Sequence, residues 1–266
     1  MTTMRAGLTG WPITRSLSPV IHGAWIGAAC LDATYQPFPA IDESAFDAVI
    51  ARGRQGEFLG LNVTAPFKER ALQIADTATP VATRAGSANV LLFENGQVRA
   101  DSVDGEGLLM ALAGQAPLLH LAGAPVVVVG AGGAARAAVS ALVDSGAEVA
   151  ILNRTVSRAE ALAGTLGARM AKPGDLERAA VVINAISGPS DLDVSQLADH
   201  AVVMDMGYRP RITPLLSRAR DRGLTVVDGL GMLIGQARPS FRAFFGHDPA
   251  PINIRRVALA VLGEDG

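Results

Sequence analysis

The chain has 266 residues, with 23 lysine and arginine residues against 25 aspartate and glutamate residues, for a formal net charge of −2. This length predicts about two domains or one large domain. A composition of 49% hydrophobic and 5% aromatic residues excludes extensive disorder and predicts a core of Ala, Val and Leu rather than rings. Because no basic excess is present, we expect neither nucleic acid nor a membrane surface as a partner.

The cysteine content, the first twelve residues and one uncharged segment indicate the compartment and whether the chain enters a membrane. Cys30 is the single cysteine, so an internal disulfide and a cysteine-rich zinc site are excluded, and we expect it to be a small core residue. Residues 1–12 lack the apolar stretch of a secretory signal. The uncharged segment 107–135 contains Pro117 and Pro125, which interrupt a helix. We therefore expect a soluble, cytoplasmic protein without a bound metal.

Helix and strand patterns alternate through the first hundred residues. The segment SPVIHGAWIGAACL predicts a helix with Ser18 at its N-cap and Pro19 at its first position. The segments TYQPF and LGLNVT predict strands, with ESAFDAVIARG helical between them and FKERALQIAD helical after Pro66. In ANVLLFENGQVRAD, the pair Asn95 and Gly96 predicts a two-residue turn between antiparallel strands.

After a linking helix predicted at DGEGLLMALAG, the pattern changes to buried strands at the spacing of a parallel sheet. These strands are VVVVG, EVAILN, VVINAI, AVVMDM and LTVV, and helical segments separate them. Two helices without an intervening strand end the chain and should pack on the first domain. We predict an α/β fold in which a Rossmann-like doubly wound parallel-sheet domain, residues 105–230, is inserted in a discontinuous α/β domain, residues 1–104 and 231–266.

A glycine-rich turn follows the first of these strands. The segment GAGGAA fits the G-x-G-x-x-G/A pattern, with Gly130 permitting the tight turn and Gly132 allowing backbone N–H groups to approach a pyrophosphate. A buried strand precedes the motif and a helix with a stripe of small residues follows it. The context favours nucleotide binding, and the alternative is a tight strand-to-helix turn without a ligand.

The residues at the end of the second parallel strand indicate which dinucleotide the chain binds. An NAD site places an acidic residue there, whereas this strand ends in Asn153, Arg154 and Thr155, with Arg158 one helical turn farther on. Two guanidinium groups and a hydroxyl suit a 2′-phosphate, so we expect NADP rather than NAD. The alternative is a helix start capped by Thr155 with solvated arginines.

Polar residues of the first domain form a second candidate site. Two hydroxyls, Ser16 and Ser18, lie beside a helix N-terminus and can donate to a carboxylate, whereas His22 is expected to be a packed or surface histidine. Lysine occurs only twice in this arginine-rich chain, and Lys68 can exchange a proton where a guanidinium cannot. Asp104 either joins this site or caps the helix that follows it.

These segments together resemble a known family, shikimate dehydrogenase. The resemblance covers almost the whole chain and rests on the order and spacing of GWPITRSLSPVIH, GLNVTAPFKE, GSANVLLFENGQVRADSVDG, GAGGAA, NRTVSRAEALA, DMGYRP and DGLGMLIGQA. It implies NADP-dependent, reversible reduction of 3-dehydroshikimate to shikimate, in aromatic amino acid biosynthesis through chorismate. It also implies that residues 105–230 bind NADP and that residues 1–104 and 231–266 form the substrate-binding catalytic domain.

The resemblance also implies roles for individual residues. Lys68 and Asp104 would be the catalytic pair. The substrate carboxylate would bind Ser16 and Ser18, with Tyr208. The substrate's ring hydroxyls would bind Asn62, Thr64, Asn89, Asp104 and Gln236. NADP would bind Gly130, Gly132, Gly133, Ala134, Asn153, Arg154, Thr155 and Arg158, with Met206, Gly229 and Met232 near the nicotinamide.

Two other functions remain open at this point. The first is the same reaction on quinate or an amino-substituted shikimate, because the chain has GSANV, DSVDG and NAISGP where the family commonly has GAVNT, DNTDG and NATS-G. The residues Ser18 and Arg154 favour shikimate and NADP over quinate and NAD. The second is a non-catalytic, NADP-responsive binding protein. The expected partners are small molecules, and both a monomer and a homodimer fit the composition.

Overall fold

The computed structural model describes residues 3–186 and 188–264. The chain divides into two compact units, unit 1 from residues 1–103 and 236–266 and unit 2 from residues 104–235. Unit 2 is therefore inserted within unit 1. The division falls at 103/104 and 235/236, whereas the sequence placed it at 104/105 and 230/231. The second crossing comes later because one continuous helix, Gly229–Phe245, runs from unit 2 into unit 1.

Unit 1 contains a six-stranded mixed sheet with the strand order β2-β1-β3-β5-β6-β4. Its strands are β1 (Met4–Gly10), β2 (Ala33–Pro39), β3 (Gly60–Val63), β4 (Thr77–Ala78), β5 (Val90–Glu94) and β6 (Gln97–Asp101). Strands β2, β1 and β3 run parallel, and β5 and β6 form the predicted antiparallel hairpin. Asn95 and Gly96 both have positive φ, as this two-residue turn requires.

The helices of unit 1 differ from the predictions at several starts and ends, and the helix at residues 80–85 was not predicted. They are α1 (Ser18–Ala28), α2 (Glu43–Arg54), α3 (Lys68–Gln73), α4 (Pro80–Ala85), the C-terminal part of α10 (Gly229–Phe245) and α11 (Ile254–Leu262). The N-cap prediction for Ser18 is wrong, because Leu17 already has helical φ and ψ and Ser18 is the first helical residue. Helix α1 ends before Cys30, which has a φ of 51° and is exposed rather than a core residue.

Aromatic rings are concentrated in unit 1, against the prediction of a core without rings. All eight phenylalanines, both tryptophans and Tyr35 belong to this unit, and Tyr208 is the one Phe, Trp or Tyr residue of unit 2. One buried cluster places Trp25, His22 and Tyr35 against Phe241 of α10. Aromatic residues thus supply much of the core that joins α1 and α10 in unit 1.

Unit 2 is the predicted doubly wound domain. Its strands β7 (Pro125–Val129), β8 (Glu148–Leu152), β9 (Arg169–Met170), β10 (Val181–Asn184), β11 (Val202–Asp205) and β12 (Thr225–Asp228) are parallel in the order β9-β8-β7-β10-β11-β12. Counted from the unit's first strand, this is the 3-2-1-4-5-6 order of dinucleotide-binding sheets. Consecutive residues of a strand, such as Val127 and Val128, belong to different buried clusters, because helices cover both faces of the sheet.

The helices of unit 2 follow the chain between these strands. They are α5 (Asp104–Gln115), α6 (Gly133–Asp144), α7 (Val156–Leu166), α8 (Asp175–Arg178), a short 3-10 turn (Val194–Gln196), α9 (Pro214–Asp221) and the first part of α10. The uncharged segment that includes Pro117 divides into the end of α5, a turn region and β7. In the part of the chain that the structure describes, no helix is both long and apolar enough to span a bilayer.

Candidate active site

The two serines of unit 1 lie together at the start of α1. The Ser16 hydroxyl donates to the Ser18 hydroxyl across 3.3 Å, and the backbone N–H of Ser18 donates to Ser16 Oγ across 3.2 Å. Ser16 therefore accepts from the N–H group of the first helical residue, Ser18, which the sequence predicted to be the N-cap. The pair forms a hydroxyl cluster at the positive end of a helix dipole, where an anion is favoured.

Asn62, on β3, is buried and makes hydrogen bonds with both ends of its amide. Its Oδ1 accepts from the Tyr35 hydroxyl at 2.8 Å, and its Nδ2 donates to the carbonyl oxygen of Asn89 at 3.2 Å and to Ser240 Oγ at 2.9 Å. A carbonyl oxygen can only accept, so the Asn89 contact defines which end of the amide is nitrogen. Both N–H groups are used, and Oδ1 can accept one more hydrogen bond. Asn62 can therefore accept a hydrogen bond from the hydroxyl of a ligand.

Asn89 and Gln236 extend the same set of contacts. The Asn89 side chain donates to Gln236 Oε1 at 3.4 Å and accepts from the backbone N–H of Val103 at 2.8 Å. The Ser240 hydroxyl donates back to the Gln236 carbonyl oxygen at 2.9 Å. We call this group of side chains the unit 1 polar network; its members are Ser16, Ser18, Tyr35, Asn62, Asn89, Gln236 and Ser240. The group has two parts, the serine pair and the side chains bonded around Asn62 and Asn89.

Thr64 and Lys68 follow β3 directly. The backbone N–H of Thr64 donates to the Thr9 carbonyl oxygen at 2.9 Å, and the Lys68 carbonyl oxygen accepts from Ala88 at 2.8 Å. Lys68 is half-buried and is the first residue of α3. Asp104 is buried and is the first residue of α5, one residue after Val103. The alternative in which Asp104 precedes that helix as its cap does not describe its position, because the helix begins at Asp104 itself.

The glycine-rich turn of unit 2 joins β7 to α6. Gly130 has a φ of 121°, and a Cβ atom there would lie 3.2 Å from Ile186 Cγ2, so both conformation and space require glycine. A Cβ atom on Gly132 would meet no described atom within 4 Å. Helix α6 begins at Gly133, and its N-cap residue, Gly132, has no side chain that could occupy the helix end. This helix end, with Ala134 in its first turn, fits a phosphate group.

The residues predicted to read the nucleotide lie after β8. Asn153 is half-buried and donates from Nδ2 to the Thr155 carbonyl oxygen at 2.9 Å, while Arg154, Thr155 and Arg158 are exposed. Thr155 occupies the N-cap position of α7, yet its side chain makes no capping bond within the described chain. Neither guanidinium forms an ion pair with a residue that the structure describes. Both arginines can therefore turn toward an anion without breaking an existing pair.

Met206, Gly229 and Met232 occupy the region around the C-terminal ends of β11 and β12. Met206 directly follows β11, and Gly229 begins α10. A Cβ atom on Gly229 would lie 2.2 Å from the Met206 carbonyl oxygen, so the two backbones pack closely and only glycine fits. Met232 is buried, and Tyr208 is half-buried two residues after Met206. Three of the residues predicted to contact the nicotinamide are thus in one region of unit 2.

Comparison with known proteins matches both units. Residues 8–91 match the family model for the shikimate dehydrogenase substrate binding domain, and residues 112–223 match the model for shikimate / quinate 5-dehydrogenase. A shikimate dehydrogenase (NADP(+)) from Caulobacter vibrioides is 50% identical over 275 aligned residues, covering 97% of this chain and 95% of that protein. The chain belongs to the shikimate dehydrogenase family.

Other members of the shikimate dehydrogenase family agree in sequence and fold. A shikimate dehydrogenase (NADP(+)) from Gluconobacter oxydans is 41% identical, covering 93% of this chain and 92% of that protein. The crystal structure of shikimate 5-dehydrogenase from Thermus thermophilus, in complex with NADP(H) and shikimate, is 33% identical with a TM-score of 0.88. That match covers 97% of this chain and 99% of the other.

Sequence reasoning missed two members of the polar network in this shikimate dehydrogenase chain. Both residues contact Asn62, although Tyr35 is 27 residues and Ser240 is 178 residues away from it in the chain. The only local signal for Tyr35 was its place in a predicted strand, and Ser240 lies three residues beyond the DGLGMLIGQA motif on α10. Their contribution became visible only through the hydrogen bonds that Asn62 makes.

His22 supports the ring of Tyr35. The two rings stack with centroids 4.0 Å apart and an interplanar angle of 5°. Complete burial lowers the pKa of His22 to about 3, so the imidazole is neutral near pH 7. Neither ring nitrogen has a hydrogen-bond partner within the described residues. In this shikimate dehydrogenase chain, His22 is thus a packed histidine, as expected.

Acidic and metal-binding side chains do not cluster in the described ranges. No group of three or more His, Cys, Asp or Glu side chains there is arranged to hold a metal ion. The polar groups available to a ligand in this shikimate dehydrogenase chain are hydroxyls, amides, one ammonium, guanidiniums and buried carboxylates. This donor set suits a polyhydroxylated acid and a phosphorylated cofactor.

Proposed function

We propose that this chain catalyses the NADP-dependent, reversible reduction of 3-dehydroshikimate to shikimate. The observation that carries the proposal is identity at half of the aligned positions to a relative named shikimate dehydrogenase (NADP(+)), over nearly the whole length of both chains. Membership of this family implies a place in aromatic amino acid biosynthesis, through chorismate. The polar groups of unit 1 and the helix end of unit 2 have the chemistry that such substrates need.

The substrate is bound in this proposal by the unit 1 polar network. Ser16 and Ser18, together with Tyr208, donate hydrogen bonds to the carboxylate. Asn62, Thr64, Asn89, Asp104 and Gln236 bind the ring hydroxyls. The contacts of Asn62 support an acceptor role, because its two N–H groups already donate within the protein and only Oδ1 has capacity left. A ring hydroxyl therefore donates to Asn62 rather than accepting from it.

Lys68 and Asp104 form the catalytic pair. NADPH, when bound, supplies the hydride for the ketone carbon, and Lys68 donates the proton that the ketone oxygen gains. Asp104 orients the ammonium group and binds the neighbouring hydroxyl. In the reverse direction Lys68 removes the hydroxyl proton from shikimate. A positioned acid–base group of this kind contributes about 10² to 10⁴ in rate. Lysine suits this role because an ammonium exchanges protons and a guanidinium does not.

The cofactor is held by the glycine-rich turn and by the residues after β8. Gly130, Gly132, Gly133 and Ala134 present the N-terminus of α6 to the pyrophosphate, and the open space at Gly132 supports this assignment. Asn153, Arg154, Thr155 and Arg158 bind the adenosine ribose and its 2′-phosphate. Met206, Gly229 and Met232 contact the nicotinamide. Two exposed guanidiniums without an ion pair to any described residue support NADP over NAD.

The test is a crossed assay of nicotinamide absorbance, with shikimate, quinate or an aminoshikimate as the substrate and NADP or NAD as the cofactor. We expect the largest kcat/KM with shikimate and NADP. Faster turnover of quinate or an aminoshikimate would establish that acid as the substrate. Quinate is tested because the matching family model describes shikimate / quinate 5-dehydrogenase. NADP binding by calorimetry without turnover of any of these acids would support the non-catalytic alternative.

Two further expectations accompany this function. Small molecules, rather than nucleic acid or membranes, are the partners, which a net charge of −2 supports. A cytoplasmic location is consistent with a chain that contains one cysteine and no possible internal disulfide.

The oligomeric state is open between a monomer and a homodimer. Light scattering after size-exclusion chromatography distinguishes the two.

A further inference from the structure

The segment of residues 206–213 joins β11 to α9 and contains neither helix nor strand. It includes Met206 and Tyr208, and Tyr208 is the one Phe, Trp or Tyr residue of unit 2. Under the proposed function, Met206 contacts the nicotinamide and Tyr208 binds the substrate carboxylate. An irregular segment of eight residues needs specific contacts to hold two such side chains in place.

One buried carboxylate contacts both ends of this segment. Asp205 is the last residue of β11 and is 4% exposed. Its Oδ1 accepts from the backbone N–H of Gly207 at 2.9 Å, and its Oδ2 accepts from the Thr213 hydroxyl at 2.7 Å. Gly207 and Thr213 lie near opposite ends of the segment. The carboxylate of Asp205 therefore closes residues 207–213 into a loop with charge-assisted hydrogen bonds.

The neighbouring strand holds Asp205 itself. Asn184, the last residue of β10, is paired with Asp205 in the sheet and donates from Nδ2 to Asp205 Oδ1 at 3.1 Å. The Asn184 carbonyl oxygen also accepts from the backbone N–H of Met206 at 3.0 Å. The segment therefore leaves the sheet from a point that both strands define, and Asp205 cannot rotate away without losing several hydrogen bonds.

A second carboxylate contacts the middle of the segment. Asp228 ends β12 and is 3% exposed, and Arg211 Nη1 lies 3.4 Å from its Oδ2. Asp228 Oδ1 also accepts from the backbone N–H of Gly231 at 3.2 Å. Together with the close packing of Gly229 on Met206, this contact places the segment against the ends of β11 and β12. The strongest of these contacts, by distance and burial, are those of Asp205.

We propose that Asp205 is a positioning residue whose carboxylate, by holding Gly207 and Thr213, fixes residues 206–213 and orients Tyr208 for the substrate. This inference rests on the proposed function for the role of Tyr208. The competing explanation is purely structural. In that case the Thr213–Asp205 bond only stabilises the start of α9, where Thr213 Oγ1 also accepts from the backbone N–H of Leu216 at 3.3 Å.

Thr213→Val is the variant that separates these explanations, because it keeps the side-chain shape and removes the hydroxyl. The chain offers a matched control in unit 1. Thr79 also precedes a proline at a helix start, donates to an aspartate, Asp101, at 2.7 Å, and accepts from Ala82 at 3.2 Å. Thr79→Val therefore removes the same kind of capping contacts from another helix, and Thr213→Ser should restore the lost bond to Asp205.

The readout uses the two tyrosines of the chain. Protein labelled with 3-fluorotyrosine gives two fluorine resonances, and Tyr35→Phe assigns the one from Tyr208. We expect Thr213→Val to shift or broaden the Tyr208 resonance and to raise KM for shikimate about 10-fold, equivalent to about 1.4 kcal/mol. Thr213→Ser should restore both. Thr79→Val should lower thermal stability without moving the Tyr208 resonance.

A double-variant cycle tests whether the effect passes through Tyr208. In a Tyr208→Phe background, Thr213→Val should raise KM for shikimate little further, because the hydroxyl that it positions is already absent. An undiminished increase would overturn the proposal, as would an unchanged Tyr208 resonance and KM in Thr213→Val alone. If Thr213→Val fails to fold, Asp205→Asn takes its place. We expect Asp205→Asn to change the Tyr208 resonance and KM in the same direction. Absence of shikimate turnover in the wild type would refute the proposed function, while the fluorine spectra would still test the hold of Asp205 on the segment.

Discussion

The Tyr35 hydroxyl donates a 2.8 Å hydrogen bond to the side-chain oxygen of Asn62, and both side chains are buried. This contact orients the Asn62 amide, whose Oδ1 is the acceptor proposed for a ring hydroxyl of the substrate. We expect Tyr35→Phe to raise KM for shikimate roughly 5- to 10-fold, since a buried hydrogen bond contributes about 1 kcal/mol. Steady-state kinetics measure this effect, and an unchanged KM would show that Asn62 does not depend on Tyr35.

Replacement of Lys68 should reduce turnover far more than binding. For Lys68→Met we expect kcat to fall by about 10² to 10⁴, with KM for shikimate changed much less, because the proton donor is lost. Lys68→Arg should fail to restore kcat, since a guanidinium keeps its proton. The matched control is Lys172→Met, which removes the chain's only other lysine, an exposed residue. Wild-type kcat in Lys68→Met would refute the catalytic role.

Removal of Arg154 should alter the choice of cofactor. We expect Arg154→Ala to lower the preference for NADP over NAD by about 10- to 100-fold, because a charge-assisted contact to the 2′-phosphate contributes roughly 1.5 to 3 kcal/mol. The measurement is the ratio of kcat/KM for the two cofactors. The control is Arg220→Ala, which removes an exposed arginine in a different element, α9, and should leave the ratio as in the wild type. An unaltered ratio in Arg154→Ala would refute the assignment.

His22 should make folding stability depend on pH. Burial lowers its pKa from 6.5 to about 3, so between these values the unfolded chain binds a proton that the folded chain does not. The contribution of His22 to stability is complete above pH 6.5 and falls by about 1.4 kcal/mol for each pH unit below it. We expect the free energy of unfolding of His22→Phe to decrease less steeply between pH 6.5 and 4 than that of the wild type. Parallel curves from urea denaturation would contradict this.

Two glycines of helix α5 should respond oppositely to alanine. A Cβ atom on Gly105 would lie 2.7 Å from Ala141 Cβ, whereas one on Gly114 would meet no described atom within 4 Å. Gly105→Ala should destabilise the protein by about 1 to 3 kcal/mol through overpacking. Gly114→Ala should stabilise it by up to about 1 kcal/mol through helix propensity. Thermal denaturation of both variants tests this, and equal effects would show that α6 moves aside at Gly105.

The predictions made from sequence were most successful where the signal was local. Five of the parallel strands of unit 2 follow from buried apolar runs, and the requirement for glycine at position 130 follows from the tight turn after the first of them. Strands β1, β4 and β9 were missed. Strand β1 contains two glycines in seven residues, and β4 and β9 have only two residues each, so none of them shows an alternating or continuous apolar pattern.

The α/β class, the doubly wound sheet, the nucleotide-type turn and the candidate residues at strand and helix ends could all be predicted from the amino-acid sequence alone. These features depend on backbone preferences and apolar spacing within a few residues. The structure was needed to show that Tyr35 and Ser240 contact Asn62, because these residues are far apart in the chain and meet only when strands and helices pack. It was also needed to show that Asp205 contacts both ends of the Tyr208 segment, because that segment is irregular and no periodic pattern indicates its path.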